Sequence, residues 1–514
     1  MIVTLFIMLN LVQHTGVAWG QQSWGLDSTF GNGGVVTTDL GCTHEVGTSS
    51  VIQQDGKIVS GGWSYNYYTF QPNRFAMIRY NIDGSYDDSF GTNGVVLTNG
   101  GAASTIALQT DQKILLSGNT GQYFFIEDTA YALLRYNSNG TLDTSFGING
   151  KVITTFGDFS HGKAGVVVQP DGKIVQSGTA YDSITKLTLV RFEYDGTLDS
   201  TFGLNGKVIT EVNNAETYSL NLQSDGKLIL CGHSHNGINT DFLMIRYQPN
   251  GLIDSSFGSN GIVITDVAGH FDGVGGIAIQ PDGKILQTGR VDYNNSNGRD
   301  FWLLRYNENG TPDNTFGSGG RIITDFGYDE VSIGLLLCSD GKIIINGWIS
   351  ISNPANNDIA IARYNTDGSL DNTFGTGGKI ITVISNKDDL YYWPIEQSDG
   401  KIILTGLSDR GTNNYNYDFS IVRFASYDHG NGVNEINSIN GFQIYPNPSN
   451  NIITLETTQV DKATYSIYDL TGRLIQADTF AQKKQINVTS FADGVYVIDV
   501  RTQDGIVRKK FIKQ

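Results

Sequence analysis

Short apolar runs of four to six residues follow one another along most of the chain, separated by Gly, Asn and Asp. In one stretch the runs are residues 206–210, 218–223, 227–232 and 242–247. None of these runs has the period or the length of a helix, so the pattern predicts four short β-strands. An Asp-Gly dipeptide separates the second run from the third, and this dipeptide is a strong signal for a tight hairpin.

The four-run unit recurs seven times, and each copy is marked by a Phe-Gly dipeptide. The phenylalanines are Phe30, Phe90, Phe146, Phe202, Phe257, Phe316 and Phe374, at intervals of 55 to 60 residues. Seven units of four antiparallel strands predict an all-β fold, a seven-bladed β-propeller. A β-solenoid and an open array of sheets are the alternatives. Solenoid coils are usually shorter, and an open array would leave strand edges exposed.

The hairpin dipeptide also repeats, with one exception. Its copies start at Asp55, Asp171, Asp225, Asp282, Asp340 and Asp399. The second unit has Asp111-Gln112 instead. Because glycine supplies the positive φ that such a turn needs, we expect a strained or altered turn at Gln112.

Two of the connections in each unit have a constant length and two vary. The hairpin Asp always precedes a Gly by 7 residues, and the repeated Arg precedes the next Phe by 11. The other two spacings range over 13–17 and 21–25 residues. Since antiparallel strands alternate in direction, both variable connections should lie on one face of the disc. Variable loops on a rigid scaffold are where binding usually occurs, although neutral drift would leave the same pattern.

Aromatic residues are concentrated in the variable connections. The candidate ligand-binding residues are Trp63, Tyr65, Tyr67, Tyr68, Tyr123 and Trp348. Aromatic rings beside Asn and Asp suit a sugar or a peptide, because they offer apolar faces with polar groups nearby. Packing of the same rings on the blade edges is the competing interpretation.

Six arginines are each followed by an aspartate eight residues later. The pairs are Arg79 with Asp87, Arg135 with Asp143, Arg191 with Asp199, Arg246 with Asp254, Arg305 with Asp313, and Arg363 with Asp371. A catalytic arginine is needed once, so the repetition predicts structural ion pairs. Arg423 lacks a following aspartate and Asp27 lacks a preceding arginine. We therefore expect these two to pair and close the ring.

Composition narrows the range of partners. The net charge of −17 argues against nucleic acid and anionic membranes, which need a basic surface. No nucleophile elbow, phosphate loop or zinc-protease motif occurs in a suitable context. We predict no catalytic residues, no metal site and no cofactor. A calcium loop at residues 81–84 and a metal site at Cys231, His233 and His235 are disfavoured, because both lack ligands.

The two ends of the chain differ from the repeats. Residues 1–20 contain an apolar run and end in Ala18-Trp19-Gly20, which predicts a signal peptide, with a buried strand as the alternative. Residues 21–428 hold the repeats, and 429–440 form a polar linker. Residues 441–514 contain seven short strand-like runs and predict a small Ig-like β-sandwich. No run is long enough to predict a transmembrane segment in the mature chain.

The sequence of the repeats resembles that of the delta-60 repeat family. The matching segments include residues 169–175, 280–286 and 363–375, and the resemblance covers residues 24–427. The resemblance implies a propeller and no assigned chemistry.

The tail resembles the type A C-terminal sorting domain of the type IX secretion system of Bacteroidota. The shared features are Tyr-Pro-Asn-Pro from Tyr445, an Asp-x-x-Gly-Arg hairpin ending at Arg473, Gly-x-Tyr at Tyr496, and a basic end. The resemblance implies that residues 441–514 engage the type IX machinery. It also implies passage through the periplasm to the cell surface or the medium, with the tail cleaved on the way.

These observations favour a secreted or outer-membrane surface protein. Its predicted role is non-catalytic recognition or scaffolding, with a glycan or a protein as the ligand of the variable face. A carbohydrate-active enzyme, either a hydrolase or a lyase on the same face, is the alternative. A purely structural surface-layer protein is a third possibility.

Overall fold

The structure is a computed structural model of the chain. It describes residues 24–66, 73–121, 129–157, 159–181, 184–267, 269–292, 298–350, 356–385, 387–409, 416–425, 436–437, 443–457, 463–469, 474–502 and 505–513. The predicted signal peptide lies outside these residues. One compact unit spans Ser23–Ser426, and a second contains Tyr427–Gln514. Among the residues that the structure describes, none forms a helix with the length and apolarity that crossing a membrane requires.

The first unit contains seven blades, each with four strands ordered from the innermost to the outermost. Blade 1 is β2(His44–Ile52), β3(Ile58–Tyr65), β4(Arg74–Tyr80) and β5(Val95–Asn99). Blade 2 is β6(Gly101–Leu108), β7(Ile114–Thr120), β8(Tyr131–Tyr136) and β9(Lys151–Thr154). Blade 3 is β10(Phe159–Val168), β11(Ile174–Tyr181), β12(Thr185–Phe192) and β13(Lys207–Glu211). Blade 4 is β14(Glu216–Leu222), β15(Leu228–His235), β16(Thr240–Tyr247) and β17(Ile262–Thr265).

The remaining blades continue the series. Blade 5 is β18(Phe271–Ile279), β19(Ile285–Asp292), β20(Arg299–Tyr306) and β21(Arg321–Thr324). Blade 6 is β22(Asp329–Leu337), β23(Ile343–Ser350), β24(Asn357–Tyr364) and β25(Lys379–Thr382). Blade 7 is β26(Asp389–Glu396), β27(Ile402–Asp409), β28(Tyr417–Phe424) and β1(Val35–Thr38). The first run of each sequence repeat is therefore the outer strand of the preceding blade.

The ring closes through the strand from the start of the chain. β1 pairs antiparallel with β28, with Val35 opposite Val422 and Thr38 opposite Phe419. Each innermost strand also contacts the innermost strand of the next blade, and β26 contacts β2. The predicted seven-bladed propeller is confirmed.

The cores lie between neighbouring blades. Phe75 and Met77 of blade 1 pack with Leu116 and Leu134 of blade 2 in one cluster. The second strand of each blade is buried on both faces, as in β3, where every residue is buried. Because blades pack face to face, both faces of these strands are buried, and their polar residues, such as Ser60 and Ser64 of β3, are buried as well.

Every predicted arginine–aspartate pair is formed in the structure. The seven N···O distances range from 2.6 to 2.9 Å. Asp27 and Arg423, which come from opposite ends of the repeat region, are 2.9 Å apart. Several arginines also donate to a carbonyl of the next blade, as Arg191 does to Pro249 at 2.6 Å. Among the described residues, the arginine of the pair therefore links six of the seven blades to the next one.

Two further residue types join each pair. The arginine guanidinium lies 4.1 to 4.7 Å from the ring centre of the repeated phenylalanine. The lysine after each hairpin turn contacts the same aspartate at 2.7 to 3.5 Å. We call these Arg, Asp, Lys and Phe side chains the frame cluster of a blade. The lysines were not predicted from the sequence, although they recur at a fixed place in every unit.

Turn chemistry explains the two repeated glycine positions. In the Phe-Gly turn, Gly91 has a φ of 54°, and an added Cβ would lie 2.4 Å from the carbonyl oxygen of Val95. In the second hairpin, Gln112 adopts a φ of 66°, the conformation that glycine supplies in the other units. The turn is therefore retained, with strain at a residue that has a side chain.

The described residues of the second unit form eight strands. They are β29(Ile436–Asn437), β30(Gln443–Tyr445), β31(Ile452–Glu456), β32(Ala463–Asp469), β33(Leu474–Phe480), β34(Lys483–Asn487), β35(Gly494–Thr502) and β36(Gly505–Lys513). They form a sheet in the order β29-β36-β35-β32-β33 and a second in the order β30-β31-β34. Buried residues of both sheets, such as Leu455 and Ile498, share one core. β29 lies inside the predicted linker, where pairing with β36 extends the sheet.

Candidate ligand-binding cavity

A cavity of about 1060 Å³ lies at the centre of the propeller and is lined by side chains from all seven blades. They are His44, Val46, Thr48, Trp63, Ala102, Ala103, Ser104, Asn119, Thr179, Tyr181, Glu216, Thr217, Tyr218, Val274, Arg290, Arg299, Val331, Ser332, Ile333, Trp348, Leu390, Tyr392, Trp393, Leu407 and Tyr417. Most of them come from the first halves of the innermost strands and the last halves of the second strands. Those strand ends adjoin the variable connections, whereas the fixed hairpins join the opposite ends.

A β-bulge in every innermost strand shapes this cavity. The register shifts at the same place in each, for example between Gly47 and Ser49 in β2 and between Thr217 and Ser219 in β14. Thr48, Ser104, Tyr218, Ile333, Tyr392 and Trp393 lie at these shifts and line the cavity. An extra residue at a bulge re-aims its side chain. In blades 1, 2, 4, 6 and 7 the bulge therefore directs one or two side chains toward the centre, whereas Gly275 and Gly276 lie at the shift in blade 5.

The predicted aromatic residues have different locations. Trp63 and Trp348 line the cavity. Tyr65 is 1% exposed and packs near the ring of His44, so its side chain is covered by protein. Tyr67, Tyr68 and Tyr123 lie outside the described residues.

Several lining aromatics were not predicted as ligand-binding residues. They are Tyr181, Tyr218, Tyr392, Trp393 and Tyr417. Tyr391, beside two of them, is fully buried, and its hydroxyl lies 2.5 Å from that of Ser420. The bulge separates the neighbouring side chains into core and lining, and no turn residue marks it in the sequence.

Glu216 is held by two tyrosines within the cavity. The Tyr181 hydroxyl donates to Glu216 Oε1 at 2.9 Å, and the Tyr218 hydroxyl donates to Oε2 at 3.4 Å. Burial and the Glu216 charge raise the pKa of Tyr181, and they raise the pKa of Tyr218 to about 12. Both phenols therefore stay protonated near neutral pH and keep donating to the carboxylate. The His233 ring lies beside Tyr218, with ring centres 5.4 Å apart.

Two arginines of blade 5 supply the positive charge of the lining. Arg299 Nε donates to Asp329 Oδ1 at 2.8 Å, and its guanidinium lies 5.2 Å from the ring centre of Trp348. Arg290 packs against Gly273, where an added Cβ would lie 2.8 Å from the guanidinium carbon. Within the described part of the chain, Arg290 has no hydrogen-bond or ion-pair partner. Burial and the neighbouring Arg299 lower the pKa of Arg290, but a guanidinium remains charged near neutral pH.

Family comparisons divide the chain in the same way as the structure. Seven segments match a family described as "Domain of unknown function (DUF5122) beta-propeller". They are residues 53–90, 109–146, 169–202, 223–257, 280–316, 338–374 and 397–428. Residues 443–514 match the "Secretion system C-terminal sorting domain" family. No curated protein matches the chain.

Three solved structures are similar to the chain at low identity. The polysaccharide lyase Uly1 is 11% identical, with 74% of this chain and 90% of that chain covered and a TM-score of 0.43. An ulvan lyase is 9% identical, with 76% and 98% covered and a TM-score of 0.45. The β-propeller domain of the trilobed protease from Pyrococcus furiosus is 9% identical, with 71% and 89% covered and a TM-score of 0.38. Their different activities carry no information about the reaction or ligand of this chain.

Proposed function

We propose that this chain is an exported glycan-binding protein. It belongs to the DUF5122 β-propeller family and ends in a secretion-system sorting domain. The sorting domain indicates export by type IX secretion to the cell surface or the medium. Cleavage of residues 441–514 and attachment of the propeller to the outer-membrane surface are further parts of this proposal. The propeller then presents its central cavity outside the cell.

The aromatic lining of the cavity is the observation that supports glycan binding. Trp348 and Trp393 are partly exposed in the lining and offer ring surface for stacking by sugar rings, while Trp63, which is 7% exposed, adds apolar surface. Asn119 and Thr179 add polar groups to the same lining. A volume of about 1060 Å³ is at the upper end of typical ligand sites, which suits an oligosaccharide.

The charges of the lining favour an anionic glycan. Glu216 already accepts from two tyrosines, and Arg299 is paired with Asp329. Arg290 is thus the charged lining residue left for a ligand, among the residues described. A guanidinium binds carboxylate and sulfate groups with paired hydrogen bonds. A uronate or sulfated sugar would satisfy Arg290 in the strongly acidic protein.

Catalysis receives less support from the same residues. Most glycoside hydrolases use two carboxylates, and the lining residues described include one, Glu216. Asp388 and Asp389 are not part of the lining, and Glu127 and Asp128 lie outside the described residues. A lyase needs a base, and the raised pKa values of Tyr181 and Tyr218 keep these phenols protonated. Burial lowers the pKa of His44, the other candidate base of the lining, but this residue is only 8% exposed.

Glycan-array binding by the full chain tests the proposal. We expect binding to uronate- or sulfate-bearing glycans, with at least a tenfold loss of affinity in Trp63→Ala and Trp348→Ala, the scale of a central aromatic contact. Phe271→Ala removes an aromatic that is 42% exposed outside the cavity lining, and it should bind normally. Unchanged binding in both tryptophan variants would reject the cavity as the site. Release of new reducing ends from any bound polysaccharide would favour the enzyme instead.

A further inference from the structure

Within the part of the chain that the structure describes, acidic side chains gather at three junctions between blades, at the end that carries the variable connections. The clusters are Asp39, Glu45 and Asp418; Asp241, Asp266 and Asp272; and Asp300, Asp325 and Glu330. In each cluster, one carboxylate oxygen from every residue lies within 4.8 Å of the others. The clusters thus bring together charges that repel one another unless something neutralises them.

The three clusters are built from equivalent positions. One residue follows the outer strand of a blade, as Asp266 follows β17. One lies near the start of the third strand of that blade, as Asp241 does in β16. The last is the second residue of the next innermost strand, as Asp272 is in β18. Each cluster therefore joins three strand ends from two blades.

Two of the clusters contain a buried carboxylate oxygen without a donor. Asp272 is 0% exposed, and its Oδ2 accepts from the Val267 N–H at 3.0 Å, while Oδ1 has no partner. Glu330 is also 0% exposed, and its Oε1 accepts from the N–H groups of Phe326 and Tyr328, while Oε2 has no partner. A buried, unpaired carboxylate oxygen carries a large desolvation cost.

The remaining cluster differs in this respect. Both oxygens of Glu45 accept backbone N–H bonds at 2.6 Å, from Leu40 and from Cys42. Its buried member is therefore satisfied within the protein. The clusters between blades 4 and 5 and between blades 5 and 6 therefore each contain an unpartnered buried oxygen. In the cluster between blades 7 and 1, both oxygens of the buried carboxylate have partners.

Neutralisation by a protein cation is not observed in the cluster of Asp241, Asp266 and Asp272. Asp241 accepts from the amide of Asn236 at 3.0 Å, and Asp266 accepts from the Gly269 N–H at 2.7 Å. None of the three forms a salt bridge with a described Lys, Arg or His. Without an added cation, a proton would have to relieve the repulsion.

We propose that Asp241, Asp266 and Asp272 bind a divalent cation of the calcium type, and that Asp300, Asp325 and Glu330 bind a second one. The ligands are all oxygens, which hard cations prefer over soft or borderline metals. Calcium tolerates irregular geometry and a flexible ligand number, whereas magnesium requires a strict octahedron. A bound cation would tie the outer and third strands of one blade to the innermost strand of the next.

The two proposed cation sites lie next to the blade that supplies both arginines of the cavity lining. The two junctions flank blade 5, which contributes Arg290 and Arg299 to the lining. Cations at both junctions would fix blade 5 against its neighbours, and stabilisation by such ligands follows mass action. Calcium binding at these junctions does not depend on the identity of the glycan.

Calcium binding to the full chain, after chelator treatment and at pH 7.4, tests this inference by titration calorimetry. We expect two saturable calcium sites per chain with affinities of about 10⁻⁴ to 10⁻³ M, the range of extracellular modules. Asp272→Asn should remove one site, and Asp272→Asn combined with Glu330→Gln should remove both. Asp282→Asn, in an exposed hairpin turn of blade 5, should retain both sites.

A second variant separates loss of calcium binding from loss of folding. Asp266 is exposed on the rim, so Asp266→Asn should fold normally and still weaken one calcium site at least tenfold. Calcium at 5 mM should raise the unfolding temperature of the wild type by a few degrees relative to chelator, and by less in Asp272→Asn. Absence of saturable calcium binding, or two unchanged sites in Asp266→Asn and Asp272→Asn, would overturn the proposal. A wild type that binds no calcium and is stabilised by Asp272→Asn would assign the cluster to a bound proton instead.

Discussion

The two ends of the propeller strands differ in how far their side chains repeat from blade to blade. At the end with the fixed hairpins, all seven blades carry the same Arg, Asp, Lys and Phe side chains in the same contacts. At the cavity end, the residue at the bulge is Thr48 in one blade, Tyr218 in another and Ile333 in a third. The repeated side chains hold neighbouring blades together. The side chains that differ from blade to blade are available for ligand recognition.

Acid should damage the repeated end most. Burial would raise the pKa of Asp254, but the hydroxyl and N–H of Ser256 and the charge of Arg246 outweigh it and lower the pKa to about 2. The pKa of each of the seven frame aspartates is lowered in this way. A lowered pKa stabilises the fold above the unfolded value of about 3.9, and the stability is lost as pH falls toward the folded value.

The expected result is a steep fall in unfolding temperature between about pH 4 and pH 2, because each pair of this kind contributes on the order of 2 kcal/mol. Differential scanning calorimetry from pH 6 to pH 2 would measure it. An unfolding temperature that stays constant down to pH 2 would show that the frame clusters do not support the ring.

A single frame substitution should have the next largest effect. Arg135→Met leaves the buried Asp143 without its arginine and removes the guanidinium over Phe146. We expect a loss of about 3–5 kcal/mol in the free energy of unfolding, as for other broken buried pairs. Denaturant titration would measure it, with Lys113→Met, which removes a more exposed partner of Asp143, as the milder control. A loss below 1 kcal/mol in Arg135→Met would contradict the structural role.

A substitution in the cavity should lower glycan affinity and leave the stability of the fold almost unchanged. Tyr218→Phe removes one donor to Glu216 without changing ring size or the frame. We expect glycan affinity to fall a few-fold, equivalent to about 1 kcal/mol for one hydrogen bond, with little change in unfolding temperature. Calorimetric titration and thermal unfolding on the same samples would measure both. A large loss of stability with unchanged affinity would place Tyr218 in the frame.

The smallest effect is expected at the one irregular hairpin. Gln112→Gly relieves a positive φ at a residue with a Cβ, and it removes the bond from the Gln54 N–H to Gln112 Oε1. The balance should stabilise the propeller by about 0.5 kcal/mol. Gly172→Gln makes the reverse change in the third unit, where φ is 87°, and it should destabilise. Stabilisation by Gly172→Gln would contradict the interpretation of the turn.

Prediction from sequence was strongest where a feature repeats. Comparison of the seven copies anticipated the blade number, the Asp27–Arg423 contact and the strained Gln112, because each follows from a fixed position in every unit. It failed where one residue differs from its counterparts. Tyr391 is buried while Tyr392 and Trp393 line the cavity, and a bulge without a sequence signal decides which is which. Tyr65 is buried at the end of β3, opposite His44 and away from the bulge in β2.

The acidic clusters were missed for a different reason. Asp241 and Asp272 belong to separate blades, and their carboxylates meet only when the third strand of one blade lies beside the first strand of the next. Spacing along one unit therefore could not reveal them. The arginines of the lining were missed because Arg290 and Arg299 have no arginine counterparts in the other repeats.

The central claim is that the non-repeated cavity end recognises an anionic sugar through Arg290. Calorimetric titration of the full chain with a uronate oligosaccharide, comparing Arg290→Gln with Arg321→Gln, tests it most directly. Arg321 is an exposed arginine on the outer strand of the same blade, so the two variants lose the same charge at different places. We predict at least a tenfold weaker affinity in Arg290→Gln and an unchanged affinity in Arg321→Gln. Equal affinities in both variants and the wild type would contradict the claim.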